Sequence, residues 1–230
     1  MTDIKQNIAE VRQRICLEAE KNSRKPADIT LLAVSKTRPA EQIREAWQTG
    51  QHCFGENYLQ EALEKIEQLQ DLAIEWHFIG PIQSNKTRAI SENFHWAQTV
   101  DRLKIAQRLN EQRPLNLSPL NICIQVNISA EEKKSGVKPD ELVALVQGIT
   151  TLKHLTLRGL MAIPEATEDK QLQRQRFAQL RALYLQVRAV APTIDTLSMG
   201  MSGDLEQAIG EGSTMVRIGT DVFGARTQRQ

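Results

Sequence analysis

The chain has 230 residues, 40% of them hydrophobic and 25% charged, the balance of one compact globular unit. A formal net charge of +1 and an aromatic content of 4% argue against a basic nucleic-acid surface and against a stacking platform for single strands. Cys16, Cys53 and Cys123 are scattered and form no CxxC pair, which argues against a disulfide framework and a zinc site and suits a reducing compartment.

The N-terminal segment MTDIKQNIAEVRQRI is charged throughout and lacks the apolar core of a signal peptide. No stretch approaches the ~18 apolar residues of a membrane span, so a cytoplasmic protein is expected. Residues 2–22 read as a helix, with Ile4, Ile8, Val11, Ile15 and Ala19 on one stripe. Thr30–Val34 is a strand-length apolar run, and Pro39 opens a helix that runs through Trp47 and closes at Gly50. Cys53–Phe54 marks a second strand, and residues 58–70 a helix with Leu59, Leu63, Ile66 and Leu69 in phase. A third strand is expected over residues 75–79, a helix near 84–93 and a fourth strand over Trp96–Val100, with Asp101 as N-cap of the helix after it. The clearest strand is NICIQVNI, residues 121–128, followed by a helix over 139–149. A sixth strand over 156–163 precedes a long amphipathic helix, residues 167–191, that Pro192 stops. A seventh strand (196–199), a short helix (204–210), an eighth strand (Met215–Ile218) and a helical turn from Val222 complete the chain.

Alternating strands and helices imply a parallel sheet flanked by helices. About eight units within ~250 residues match a (β/α)₈ barrel, and an open doubly wound sheet is the alternative. The units continue without a linker, so residues 1–230 are expected to form a single barrel domain with an extra N-terminal helix.

In such a barrel the reactive groups follow the strands at one mouth. Ser35 and Lys36 follow the first strand; Gly55, Glu56 and Asn57 the second. His77 and Gly80 lie around the third, Met161 in the sixth. Gly200, Met201, Ser202 and Gly203 follow the seventh, and Gly219 and Thr220 the eighth. Lys36 is the first candidate, because an amine that loses solvation at a strand end becomes nucleophilic toward carbonyls; a lysine snorkelling at a loop is the plainer reading. The turns GMSGD (200–204) and GT (219–220) lie after the last two strands, where barrels bind phosphate. Arg217 sits inside an apolar strand and needs a partner, either a ligand atom or a carboxylate such as Asp195, Glu206 or Glu211. His77 reads as a hydrogen-bonded core residue, and no HExxH or Ser-His-Asp arrangement is present.

The motifs AVSKT (33–37), FGENY (54–58), WHFIGPIQSNK (76–86), VNIS (126–129), KSG (134–136), RGLMAI (158–163), LSMGMSGD (197–204) and GSTMVRIGTDVFGAR (212–226) run in order across nearly the whole chain. In these the sequence resembles the pyridoxal phosphate (PLP) homeostasis protein family, also called the YggS or proline synthase co-transcribed family. The resemblance implies a barrel similar to that of alanine racemase, with PLP held as a Schiff base on Lys36. It implies phosphate contacts from Ser202, Gly219 and Thr220, and Arg217 facing the pyridine nitrogen. Asn57 and Met161 match pocket positions. It further implies a monomer that keeps free PLP low and supplies PLP-dependent apoenzymes, without established catalysis.

A cationic arginine beside the pyridine nitrogen disfavours its protonation and weakens the cofactor as an electron sink. Racemisation needs a second base opposite the lysine, a tyrosine in the similar racemases; here the tyrosines are Tyr58, near the mouth, and Tyr184, on the long helix. A PLP carrier is therefore expected ahead of an amino-acid racemase or a cofactor-free Schiff-base aldolase. Lys134 and Lys138 offer a second aldehyde-reactive site, although exposed lysines are the plainer reading.

Overall fold

The computed structural model describes residues 3–129 and 135–225. Eight parallel strands close into a barrel in chain order: β1 (Thr30–Val34), β2 (Cys53–Glu56), β3 (Glu75–Phe78), β4 (Trp96–Val100), β5 (Leu120–Gln125), β6 (Leu155–Met161), β7 (Thr196–Ser198) and β8 (Met215–Ile218). β8 pairs back onto β1 with Leu32 opposite Arg217, so the open-sheet alternative is set aside.

The helices are α1 (Ile4–Lys21), α2 (Ala40–Gln48), α3 (Leu59–Gln68), α4 (Thr87–Asn93), α5 (Leu103–Gln112), α6 (Leu142–Thr150), α7 (Lys170–Val190), α8 (Leu205–Gly210) and α9 (Thr220–Phe223). Their apolar stripes meet the outward strand residues in one continuous core that includes Ala33, Phe54, Trp76, Phe78, Ile124 and Val216. The period-2 pleat sends the alternate residues inward. Leu32, Val34, Ile79 and Met215 form one small inner cluster, and Trp96, Cys123 and Met161 another. Both faces of every strand are thus covered, which is why the strands read as unbroken apolar runs.

α1 buries Ile4, Ile8, Val11, Ile15 and Ala19, the stripe expected from sequence, against α2, α8 and α9. Asp3 caps it by accepting from the Gln6 N–H at 2.9 Å. Two local expectations are corrected. Asp101 does not cap α5: the cap position is Arg102, and the Asp101 carboxylate is drawn to the Arg102 guanidinium at 2.8 Å. β5 ends at Gln125 rather than residue 128, because Val126 turns away to bridge Val137. No described helix is long and apolar enough to cross a membrane.

Candidate functional site

β1 ends at Val34, and Lys36 sits in the turn that follows. That turn is clamped from beneath. The Ser35 hydroxyl donates to Glu56 Oε1 at 2.6 Å, and the Ser35 carbonyl accepts from Lys65 Nζ at 2.8 Å. Thr37 holds a left-handed φ of 65°, a conformation that costs roughly 1–3 kcal/mol unless held, and its N–H donates to Glu61 Oε1 at 2.6 Å. Lys65 joins the two halves by pairing with Glu56 at 2.8 Å and with Glu61. Both chain neighbours of Lys36 are therefore fixed by one buried cation and two carboxylates. Burial pushes the Glu56 carboxyl above its ordinary range, against the pull of Lys65.

A cavity of about 230 Å³ opens at the strand C-termini. Lys36, Arg38 and Asn57 form one wall; Ser202, Gly203, Gly219 and Thr220 form another; Val34, Met161 and Arg217 reach it from the strands and Ile79 from just past β3. Lys36, Asn57, Met161, Ser202, Arg217, Gly219 and Thr220, which the family resemblance marked, thus surround one space, whereas Ser35, Gly55, Glu56, Gly80 and Gly200, expected at the same mouth, do not line it. Arg38, Ile79, Ile163, Met201 and Gly203 line it as well. Arg38 lies only two residues after Lys36, and its guanidinium also donates to Ala225 O at 3.1 Å.

Arg217 is 4% exposed. It donates to Ser198 Oγ and to Ala162 O, each at 2.8 Å. None of the expected carboxylates pairs with it: Asp195 pairs with Arg158 at 2.6 Å and Glu206 with Arg14 at 2.9 Å, and Glu211 forms no ion pair among the described residues. Burial lowers the Arg217 guanidinium to about 10, with Asp204 pulling the other way, so the group stays cationic at neutral pH. A buried cation without a carboxylate partner favours an electron-rich ligand atom.

The opposite wall is built for an anion. Gly200 adopts φ 101°, and a Cβ there would lie 2.6 Å from Ala208 Cβ, so only glycine brings this turn down onto α8. Asp204 then accepts from the Met201 N–H at 2.5 Å. The N–H groups of Ser202 and Gly203 find no acceptor among the described residues. Arg14 of α1, which sequence reading left unmarked, ties the two wall segments together: it donates to Ser202 O at 3.2 Å, to Glu206 at 2.9 Å and to Asp221 at 2.6 Å. Across the cavity, Asn57 Oδ1 is buried without a partner.

His77 does not line the cavity; it is fully buried between Glu75 and Gln98. Neither tyrosine lines it either: Tyr58 is 56% exposed, and the Tyr184 hydroxyl donates to Ile194 O at 3.1 Å. Lys138 is exposed on the loop after β5, and Lys134 lies outside the described residues.

The family model "Alanine racemase, N-terminal domain" matches residues 2–227. A pyridoxal phosphate homeostasis protein of Pseudomonas aeruginosa is 58% identical over 226 residues, covering 98% of this chain and 97% of that protein. The chain belongs to the pyridoxal phosphate homeostasis protein family. PipY of Synechococcus elongatus PCC7942, solved with PLP bound, superposes with a TM-score of 0.85 at 36% identity, over 96% of this chain and all of that one. An alanine racemase from Clostridium difficile 630 shares only the fold: TM-score 0.74 at 15% identity, over 94% of this chain and 57% of the racemase.

The residues present fit the family's cofactor. An amine, a wall of acceptor-seeking N–H groups, a buried cation and an orphaned amide oxygen surround one cavity, matching an aldehyde, a phosphate, a ring nitrogen and a ring substituent that can donate a hydrogen bond.

Proposed function

We propose that this chain binds PLP covalently through Lys36 and serves intracellular PLP homeostasis, holding the cofactor and releasing it to PLP-dependent apoenzymes without turning over a substrate. The names of the curated relatives and the PLP-bound PipY structure support the ligand. The observation that carries the reading is the buried, carboxylate-free Arg217 in the same cavity as Lys36. A cofactor-free aldolase would have no use for that cation.

Bound PLP supplies an aldehyde, a phosphate and a pyridine ring that can act as an electron sink. Lys36 would contribute the amine whose nitrogen replaces the aldehyde oxygen in a C=N bond, the oxygen leaving as water with two of the amine's protons, and hydrolysis would restore the free amine and aldehyde. Ser202, Gly203, Gly219 and Thr220 receive the phosphate, Arg217 faces the pyridine nitrogen, and Asn57 and Met161 hold the ring. The carrier reading has its own support. Among the described residues the titratable groups lining the cavity are Lys36, Arg38 and Arg217. Among the described residues no tyrosine, histidine or carboxylate lines the cavity to act as a second base. A single barrel domain and a reducing cytoplasm suit the closed β1–β8 sheet and the three unpaired cysteines.

Visible absorption with added PLP, wild type beside Lys36→Ala, tests the covalent site. A yellow band in the wild type alone is expected, and its presence in both would remove Lys36 from the proposal. Amino acids incubated in deuterated water should show no protein-dependent exchange at Cα. Exchange that disappears in Lys36→Ala would make the protein a racemase-like enzyme instead.

A further inference from the structure

The barrel interior holds a continuous line of polar side chains beneath the cavity. Arg217 donates to Ser198 Oγ at 2.8 Å; Ser198 Oγ donates to Gln98 Oε1 at 2.7 Å; Gln98 Nε2 meets His77 Nδ1 at 2.8 Å; His77 Nε2 meets Glu75 Oε1 at 2.9 Å. The five residues come from four strands, β8, β7, β4 and β3. They run from the cavity to the first residue of β3 at the opposite end of the barrel. Ser198, Gln98 and His77 are fully buried, whereas the Glu75 side chain is 44% exposed.

The two ends fix the direction of every bond between them. Arg217 can only donate, so Ser198 Oγ accepts, and its own proton must pass to Gln98 Oε1. The Gln98 amide therefore presents its NH₂ to His77 Nδ1, and its second proton reaches Met215 Sδ at 3.1 Å. His77 Nδ1 is then an acceptor, and the ring proton sits on Nε2. Started from the other end, an ionised Glu75 can only accept, which again requires Nε2–H. Reversing the amide would leave the Ser198 proton without an acceptor and set a bare Nε2 against a carboxylate. Trp96 stacks on the His77 ring at a centroid distance of 5.0 Å and holds its plane. The other charged or titratable groups acting on the Glu75–His77 end are Cys53, His95 and Arg158.

We propose that Ser198, Gln98, His77 and Glu75 form a one-directional hydrogen-bond relay that positions Arg217 in the cavity, with His77 held as the neutral Nε2–H tautomer. The role assigned to Arg217 rests on the PLP reading; the tautomer does not. Cys53 Sγ, Glu75 and His77 also lie within 4.8 Å of one another, a grouping that the sequence spacing concealed. A zinc ion there would need the Nε2 lone pair and would break the relay, so the two readings exclude each other.

¹⁵N-resolved NMR of the PLP-free full-length chain should show His77 protonated at Nε2 and not at Nδ1, unchanged by one equivalent of Zn²⁺. An Nδ1–H tautomer, or a metal-bound Nε2, would overturn the relay whatever the protein binds. With PLP added, Ser198→Ala should shift the visible band and weaken PLP retention about tenfold, the loss of one charge-assisted hydrogen bond, while Ser198→Thr, which keeps the hydroxyl, should restore the band position. A folded Ser198→Ala with wild-type band and retention would overturn the positioning role. Loss of the band in Lys36→Ala alone leaves the relay standing, and absence of any band in the wild type strikes only the PLP reading.

Discussion

Lys65 shows how much of the site depends on a residue that makes no approach to the cavity. Its ammonium is buried between Glu56 and Glu61 and carries the Ser35 carbonyl as a third acceptor. Lys65→Met leaves the fully buried Glu56 carboxylate without its cation, and removing one partner of a buried pair costs about 3–5 kcal/mol. Urea denaturation should register that loss. Lys65→Met with Glu56→Gln should be less harmful than Lys65→Met alone, because the carboxylate still left without its cation, Glu61, is partly exposed. Lys36 and Arg217 were legible in the sequence because each breaks a local pattern: a lysine at a strand end, an arginine inside an apolar strand. Lys65 was not, because a lysine among Leu63, Ile66 and Leu69 reads as the wet face of a helix, and only the tertiary fold folds it under the β1 turn. Asn57 was legible as a position after a strand, but its orphaned oxygen was not.

Elements carry the same lesson at longer range. α1 reads from sequence as an amphipathic helix beside the barrel, and its apolar stripe was legible in full. Ile8 is 1% exposed within it, and Ile8→Ala should cost about 2–5 kcal/mol by thermal or urea unfolding. What the stripe does not reveal is the polar edge. Arg14 reaches residues 188 and more positions away in the chain to hold the two segments of the anion wall. Arg14→Ala should therefore weaken PLP retention several-fold with a smaller loss of stability than Ile8→Ala, measured as PLP dissociation rate against unfolding midpoint, because its ion pairs are partly exposed and worth ~1 kcal/mol each at most. The misplaced α5 cap has a like cause. Asp101 satisfies the sequence rule for a cap, but a neighbouring guanidinium competes for the same carboxylate.

For the whole molecule, the buried polar interior sets the acid limit of stability. Burial lowers His77, fully enclosed in the barrel, and His95 below the usual 6.5. The unfolded chain binds protons at both sites as pH falls through 6.5, while the folded chain does not until its own lower pKa values are reached. Stability therefore falls with acidification over that window, at up to about 1.4 kcal/mol per pH unit for each histidine. Glu75, lowered chiefly by its hydrogen bond from His77, adds a further loss at more acid pH, below the ordinary range of a glutamate. Glu56 and Asp204, raised by burial, work the other way, so the histidine share is read as the difference in slope between pH 7 and 5 for the wild type and His95→Gln, a change that keeps every hydrogen bond of the relay. Barrel closure was legible from the count and alternation of elements. The interior was not, because the period-2 rule tells which residues turn inward but not which of them meet across the axis, and Ser198 and Gln98 are 100 positions apart.

We propose that the cavity holds PLP on Lys36. Borohydride reduction of the PLP-loaded protein, followed by peptide mapping by mass spectrometry, tests it most directly. One pyridoxyl phosphate group per chain, on the peptide containing Lys36, is the predicted result. A label confined to another lysine, or none, would remove Lys36 as the point of attachment.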